Sequence, residues 1–379
     1  MKSYKACVIG HTGRGDYGHN LEMALLDQPG IEVTAVADPD TAGRAKAAAR
    51  LNVKNSYADY REMLEKERPQ LVVICPRFLD GHKQAILACA EYGAHVFCEK
   101  PLCPDLAEAD TIVSACEKHH IKLAMAMQTR YSPNWDRVLE LINSGKLGEI
   151  LEVRTRGKED HRGGGEDLMV LGIHLMDLLR GLLGEGSWCF ARVNDRGEQL
   201  NANHIRQGAE GIGPLAGDRV DAMFGFAKTP VIGYFASSRP KDNADRNRRF
   251  SCFIYGTKGV IEIQHGWLAP TFWLGEPGWT NSSGKTGWKK ISSAGVDKPE
   301  TLSAKGGMHE ANRLIIQDLI RSVETDSQPK CSVYDGRAAL EMILGIYASA
   351  SANSMVKLPL VDRSQHPLKQ LPMNKPATR

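Results

Sequence analysis

The sequence predicts an α/β protein of two domains, the first built on a doubly wound parallel sheet. Three observations lead there. A chain of 379 residues is long for one hydrophobic core. Between residues 4 and 128, short Val- and Ile-rich runs alternate with helical patterns, which is how βαβ units read in a sequence. Later in the chain the pattern changes to strand pairs joined by tight turns, followed by amphipathic helices.

The expected strands of the first part are "YKACVIG" (4–10), "IEVTAVAD" (31–38), "LVVIC" (71–75), "AHVFCEK" (94–100) and "IKLAMAMQ" (121–128). Helix-compatible stretches separate them: "GHNLEMALLDQ", "TAGRAKAAARLN", "ADYREMLEKE", "GHKQAILACAEYG" and "DLAEADTIVSACEKHH". Right-handed crossovers between parallel strands place ligands at the strands' carboxyl ends.

Those ends carry informative residues. The first strand runs into "GHTGRGDYG", with Gly10, Gly13, Gly15 and Gly18. Counted from Gly10, a G-x-G-x-x-G turn needs glycine at 10, 12 and 15, and Thr12 interrupts it. Gly13 still lets the backbone approach a pyrophosphate beside a helix N-terminus, with Arg14 next to it. Asp38 closes the second strand, where an acid binds ribose hydroxyls and repels a 2′-phosphate. NAD is therefore expected rather than NADP, although Arg14 and Arg44 offer cations to a phosphate. The alternative is a glycine-rich turn in an unliganded α/β domain.

Composition excludes other classes. Lys and Arg (48) nearly balance Asp and Glu (45), and the charges are scattered, so no nucleic-acid footprint is expected. No apolar run approaches membrane-spanning length, and the first expected strand begins too early to leave room for a signal peptide. Nine dispersed cysteines without a CxxC pair suit free thiols in a reducing cytoplasm.

Across nearly its whole length the chain resembles the glucose–fructose oxidoreductase, inositol dehydrogenase and MocA (Gfo/Idh/MocA) family. Glu99-Lys100-Pro101 matches its EKP motif. Further landmarks follow in family order: the glycine turn, Asp38, Cys75-Pro76, "RYSP" (130–133), "GKLGEI" (145–150), "GIHLMD" (172–177), "YGTKGVIEI" (255–263) and the closing "YDGRAALEMILGIYASA" and "VKLPL". The resemblance implies a Rossmann domain over 1–127 and a C-terminal α+β domain over 128–362. The latter's large, mainly antiparallel open sheet would back onto a second subunit in a homodimer or homotetramer. "RVDAMFGFAKTPVIGYFASSR" and "RRFSCFIYGTKGVIEIQHGWL" supply strands with turns at "AKTP" and "GTKG". Residues 200–218 and 275–306 read as loops, and 363–379 as a tail.

The resemblance makes Lys100 the donor to a substrate oxygen, often beside a cis Lys-Pro bond, and His174 the acid–base group. Gly10, Thr12, Gly13, Arg14, Gly15, Asp38, Pro76, Glu99 and Lys100 are the expected cofactor residues. "EDLMVLGIHLMDLLRGLL" reads as a helix from about 167, with Asp167, His174 and Asp177 on one face. A lone histidine on an apolar helix is otherwise a core residue. Many family dehydrogenases place an aspartate four residues before this histidine; here Val170 stands there. The preceding "KEDHRGGGED" offers Asp160 and His161 as substitutes, and Arg130, Tyr131 and Asp177 as further pocket residues come from neighbouring segments. Asp80 and His82 follow the strand at 71–75, and His309 begins a late helix. His161, Glu166, Asp167 and His174 lack a compact metal spacing, so no metal is expected.

The expected function is oxidation or reduction of a secondary hydroxyl or keto group on a sugar, glycoside or cyclitol. Two alternatives stay open: an NAD-retaining enzyme that eliminates or cleaves glycosides, and a non-catalytic dinucleotide-binding regulator.

Overall fold

The structure, a computed structural model, describes residues 3–371 except 27, 243–248, 283 and 285. The chain divides into two compact units. The first comprises Met1–Gln128, Ala209–Ile212 and Gly306–Arg337, and the second Thr129–Gly208, Gly213–Lys305 and Ala338–Arg379.

The first unit contains β1 (Tyr4–Ile9), β2 (Ile31–Ala37), α1 (Thr41–Leu51), β3 (Asn55–Tyr57), α2 (Tyr60–Glu67), β4 (Leu71–Ile74), α3 (His82–Glu91), β5 (His95–Cys98), α4 (Leu106–Lys118) and β6 (Leu123–Met125). Its strands form one parallel sheet in the order β3-β2-β1-β4-β5-β6. Continuous apolar runs suit strands covered on both faces, and β4 and β5 accordingly bury Val72, Val73, Val96 and Phe97 to 1% exposure or less. Asp40, Asp59 and Asp105 each accept a backbone N–H at the starts of α1, α2 and α4, so three of the crossover helices begin at a side-chain cap.

One expected helix is absent. Gly18–Leu25 is a 3-10 stretch interrupted by His19 (φ 49°) and Asn20 (φ 51°) in left-handed geometry. Gly18 donates its N–H to the Cys75 carbonyl at 2.9 Å, and the chain turns there so that His19 meets Glu99.

The second unit contains α5 (Pro133–Asn143), β7 (Ile150–Arg156), α6 (Gly165–Val170), α7 (Gly172–Leu183), β8 (Gly186–Asp195), β9 (Glu198–Gln199), β10 (Arg206–Gln207), β11 (Pro214–Leu215), β12 (Arg219–Phe226), β13 (Thr229–Ser238), β14 (Ser251–Gly256), β15 (Gly259–Gln264), β16 (Thr271–Leu274), β17 (Lys289–Ser292) and β18 (Gly295–Val296). Two long helices, α8 (Met308–Glu324) and α9 (Val333–Ala352), and the short β19 (Val356–Lys357) close the succession. Eleven strands form the large sheet, β18-β17-β16-β15-β14-β7-β13-β12-β8-β19 with β9 beside β8. Only β7–β13 is a parallel pair. The hairpins turn at Ala227-Lys228 and Thr257-Lys258, inside the expected "AKTP" and "GTKG" turns. One face of this sheet carries α7, which buries Ile173, Leu175, Met176, Leu178 and Leu179. On a sheet face, Phe190, Met223, Tyr234, Phe253 and Tyr255 line a cavity of about 840 Å³.

Three sequence expectations are corrected here. A contiguous division at 127/128 misses that α8 belongs with the parallel sheet: Met125 N–H donates to the Cys331 carbonyl at 2.8 Å, and Asn312 donates to the His19 carbonyl at 3.3 Å. Residues 200–218 are not one free loop, because β10 pairs with β11 and Glu210 forms an ion pair with Arg77 in the first unit at 3.5 Å. The expected tail over 363–379 is structured as far as it is described: Pro367–Gln370 form a 3-10 turn, with His366 and Leu368 buried. Residues 372–379 lie outside the described residues. Among the described residues, no helix is long and apolar enough to cross a membrane.

Candidate active site

In the first unit the glycine turn and the EKP segment meet. Gly13 (φ +79°) and Gly15 (φ +88°) adopt left-handed geometry. A Cβ on Gly15 would lie 2.4 Å from Arg77 N, and one on Gly18 would lie 2.8 Å from Cys75 O and 2.9 Å from Glu99 Oε1. Gly13, Gly15 and Gly18 are themselves a G-x-G-x-x-G, three residues further along than a count from Gly10 finds. Gly10, His11 and Thr12 lie between the end of β1 and the motif. Sliding the register by three would have revealed it.

Thr12 revises the reading of Asp38. The Asp38 carboxylate is fully buried and accepts hydrogen bonds from Thr12 N, Thr12 Oγ1 (2.7 Å), Tyr17 OH (3.0 Å) and Asp40 N (2.9 Å). In this conformation it anchors the glycine turn instead of offering its oxygens to a ribose. Arg44 donates to the Asp38 carbonyl at 2.6 Å. Arg14 pairs with Asp80 at the surface. Gly10, His11, Arg14, Pro39, Pro76 and Phe78 are among the residues lining a cavity of about 370 Å³ beside the turn. Backbone that tolerates no side chain, a neighbouring cavity and the Arg14 cation together fit a dinucleotide's pyrophosphate and adenosine.

Lys100 lies two residues beyond β5, is 5% exposed, and precedes a cis bond to Pro101. Its backbone N–H donates to Glu99 Oε2 at 2.7 Å, and the other Glu99 oxygen pairs with His19. Burial opposes charge on Glu99, but His19 and Lys100 outweigh it and hold the carboxyl below its ordinary range. His82 is not exposed to a ligand: at 1% exposure, its Nε2 faces the Pro76 carbonyl (2.7 Å) and its Nδ1 the Pro101 and Leu102 carbonyls (3.1 Å). His309 is half-buried in the first turn of α8.

In the second unit, the helix expected from 167 is two helices. α6 ends at Val170, Leu171 has φ −119°, and α7 starts at Gly172. Asp167 and His174 therefore sit on different helices and share no helix face. Asp167 is fully buried and accepts from Ser237 Oγ (2.5 Å) and from the Lys158 and Glu159 N–H groups (3.3 and 3.2 Å). Burial raises its carboxyl above the usual range, since these donors carry no charge. The loop acids are similarly engaged. Asp160 is held low, against burial, by a two-pronged contact from Arg162, and His161 is 85% exposed. Glu159 pairs with Arg156 and Arg249. Arg130 and Asp177, expected to face substrate, pair with each other at 3.0 Å.

His174 is 4% exposed. The ring packed on it belongs to His265, just beyond β15, with centroids 4.1 Å apart and planes tilted by 40°. Sequence reasoning missed His265. It lies 91 positions away, and only the return of β15 brings it to α7. Among the described residues no three His, Cys, Asp or Glu side chains converge on a candidate metal position.

Comparison with known proteins divides the chain contiguously in two, with residues 209–212 and 306–337 inside the second match. Residues 5–127 match the family described as "Oxidoreductase family, NAD-binding Rossmann fold", and 139–358 match "Oxidoreductase family, C-terminal alpha/beta domain". The chain is 29% identical over 292 residues to levoglucosan dehydrogenase of Pseudarthrobacter phenanthrenivorans, covering 68% of this chain and 73% of that protein. It is 27% identical over 186 residues to myo-inositol 2-dehydrogenase of Thermotoga maritima, covering 47% and 55%. For that relative and two others the match spans only 39–55% of the relative's length. A solved levoglucosan dehydrogenase in complex with NADH and L-sorbose shares the fold at TM-score 0.74 and 21% identity, over 95% of this chain and all of that one. The chain belongs to the Gfo/Idh/MocA oxidoreductase family, and its residues 5–127 are that family's NAD-binding Rossmann domain.

Proposed function

We propose that the protein transfers hydride between NAD and a secondary carbinol carbon of a sugar, glycoside or cyclitol. Lys100 donates to the substrate oxygen, and His174 exchanges the hydroxyl proton. The observation that carries this reading is the setting of Lys100. It is a buried lysine at the carboxyl end of a Rossmann strand, and Glu99 ties its backbone to His19 in the glycine turn. Bound nicotinamide supplies the hydride acceptor or donor. Gly13, Arg14, Gly15 and the backbone beside Pro76 hold the dinucleotide, while Asp38 and Thr12 keep the turn in shape. The Lys100 ammonium stabilises the oxyanion that develops as the carbinol is oxidised, and His174 removes its proton. Relatives named for inositol and levoglucosan support a polyhydroxylated substrate.

The test is NAD reduction across a panel of sugars, anhydrosugars and cyclitols. Lys100→Met and His174→Ala should each lower turnover by about two to four orders of magnitude and leave NAD affinity nearly unchanged. A folded His174→Ala protein with parental turnover would make the histidine structural. Val170, an apolar side chain where an acid is expected, favours a second reading in which NAD is retained and the sugar is eliminated or cleaved. Substrate consumption without accumulating NADH would select it.

The cavity on the large sheet, where Phe190 (46% exposed), Met223, Tyr234, Phe253 and Tyr255 stand among four arginines and two acids, supports a homodimer or homotetramer built through that sheet. Light scattering showing a monomer at micromolar concentration would exclude it. Nine free, buried thiols suit a cytoplasmic setting.

A further inference from the structure

We infer that His265 is the positioning residue for His174 and does the orienting task that an acid at position 170 would do. This rests on the proposed role of His174 as the acid–base group. An imidazole that exchanges a proton must present one nitrogen at a fixed place, and an error of about 1 Å costs on the order of 100-fold in rate. Val170 has no side-chain group to hydrogen-bond a ring. What does lie on the His174 ring is the His265 ring, at 4.1 Å between centroids.

His265 is held from three directions, so it can act as a fixed surface. Its Nδ1 is 2.7 Å from Thr129 Oγ1, and Thr129 is 2% exposed. The same Thr129 oxygen accepts the N–H of Gly266 at 3.1 Å, which leaves its hydroxyl hydrogen for His265 Nδ1. On another side the Phe250 ring stands 4.9 Å from the His265 ring, and the His265 N–H points to the Phe250 carbonyl at 3.4 Å. Arg130, adjacent to Thr129, pairs with Asp177 three residues after His174 on α7. One short segment thus fixes both the helix that carries His174 and the ring that covers it. A threonine and two aromatic rings do by packing what a carboxylate does by hydrogen bonding.

The experiment compares His265→Ala, His265→Phe and Thr129→Val with the parent full-length protein. The first readout needs no substrate. His174 Cε1–H is observed by NMR in histidine-labelled protein and assigned by its disappearance in His174→Asn. Loss of the neighbouring ring in His265→Ala should move this resonance by several tenths of a ppm, about what an aromatic ring at this distance imposes. His265→Phe should leave it closer to its parental position. An unmoved resonance in His265→Ala overturns the inference.

The second readout is kinetics on whichever panel sugar is turned over. His265→Ala should lower kcat by about 10- to 100-fold with KM within about threefold, and Thr129→Val should lower it by less. His265→Phe should bring kcat back to about the level of Thr129→Val, because it keeps the packing surface and loses only the Thr129 hydrogen bond. A rise in KM with unchanged kcat, or His265→Phe as poor as His265→Ala while Thr129→Val keeps parental turnover, would mean that the His265 nitrogens act on substrate directly, and the positioning role would fall. Parental turnover in His174→Ala would refute the underlying reading and not the packing, which the resonance reports separately.

Discussion

Glu99 and Asp167 are both fully buried carboxylates, one in each unit, and burial pushes them to opposite outcomes. Glu99 meets His19 and lies beside Lys100, and it stays below the ordinary carboxyl range. Asp167 meets only a hydroxyl and two amides, and it rises above that range. Three hydrogen bonds from neutral donors do not compensate the loss of water around a charge, whereas His19 and Lys100 together do. The buried acid beside Lys100 is thus part of an electrostatic device. The buried acid of α6 is a hydrogen-bond anchor for the turn at Lys158 and Glu159.

The contrast is most sharply broken by His19→Ala, which leaves Glu99 buried with only its Lys100 contacts. Unfolding free energy should fall by on the order of 3 kcal/mol, measured by urea denaturation at pH 7. A loss below about 0.5 kcal/mol would show that Lys100 alone suffices. Next in size, Asp167→Ala leaves the Lys158 and Glu159 N–H groups without their acceptor and should cost about 2 kcal/mol. A change confined to kcat would return Asp167 to the chemistry.

The two acids should also respond oppositely to pH. Because the folded pKa of Glu99 is lowered, its stabilising contribution is present above the normal carboxyl range and is lost as pH falls through its folded value. Asp167, with a raised folded pKa, contributes stability at low pH that is lost as pH rises through its folded value. Denaturation midpoints between pH 3 and 7 should therefore lose part of their acid limb in His19→Ala. Asp167→Asn should remove the opposing trend. Identical profiles in both variants would refute the comparison. The smallest effect belongs to His161→Ala, where an 85% exposed ring predicts a change within about 0.5 kcal/mol.

Asp38 offers a related test of anchor against ligand. If it holds the turn, Asp38→Ala should weaken NAD and NADP together and lower stability. If it binds ribose, NAD alone should weaken. Calorimetry with both dinucleotides separates the two.

Much of the fold was legible because it depends on local periodicity. Val- and Ile-rich runs set β1, β2, β4 and β5, and the turn residues set both hairpins. The short, polar β3 carries no such pattern and was not named. The EKP segment was legible as well, since its chemistry and its strand end lie within three residues. Partnerships between distant segments were not. Arg130 and Asp177 each read as pocket residues, and nothing local reveals that they satisfy one another. Asp38 read as a ligand because its place at a strand end was visible, while the Thr12 and Tyr17 donors that occupy it depend on the path of the glycine turn. The break at Leu171 lies beside Gly172, a residue that often follows a helix end, but apolar residues continue on both sides and mask it.

The return of residues 306–337 to the first unit bears on how the chain acquires its shape during synthesis. β6 receives its backbone partner from Cys331, and Asn312 and Arg313 tie to His19 and Gln28, nearly three hundred positions upstream. A ribosome that has released only residues 1–128 has exposed six strands but not the helix that completes the unit. The nucleotide-binding half must wait for almost the entire chain, with an open strand edge and uncovered apolar surface in the interval. Contacts of such long sequence separation slow folding, and they make completion of the first unit a late event.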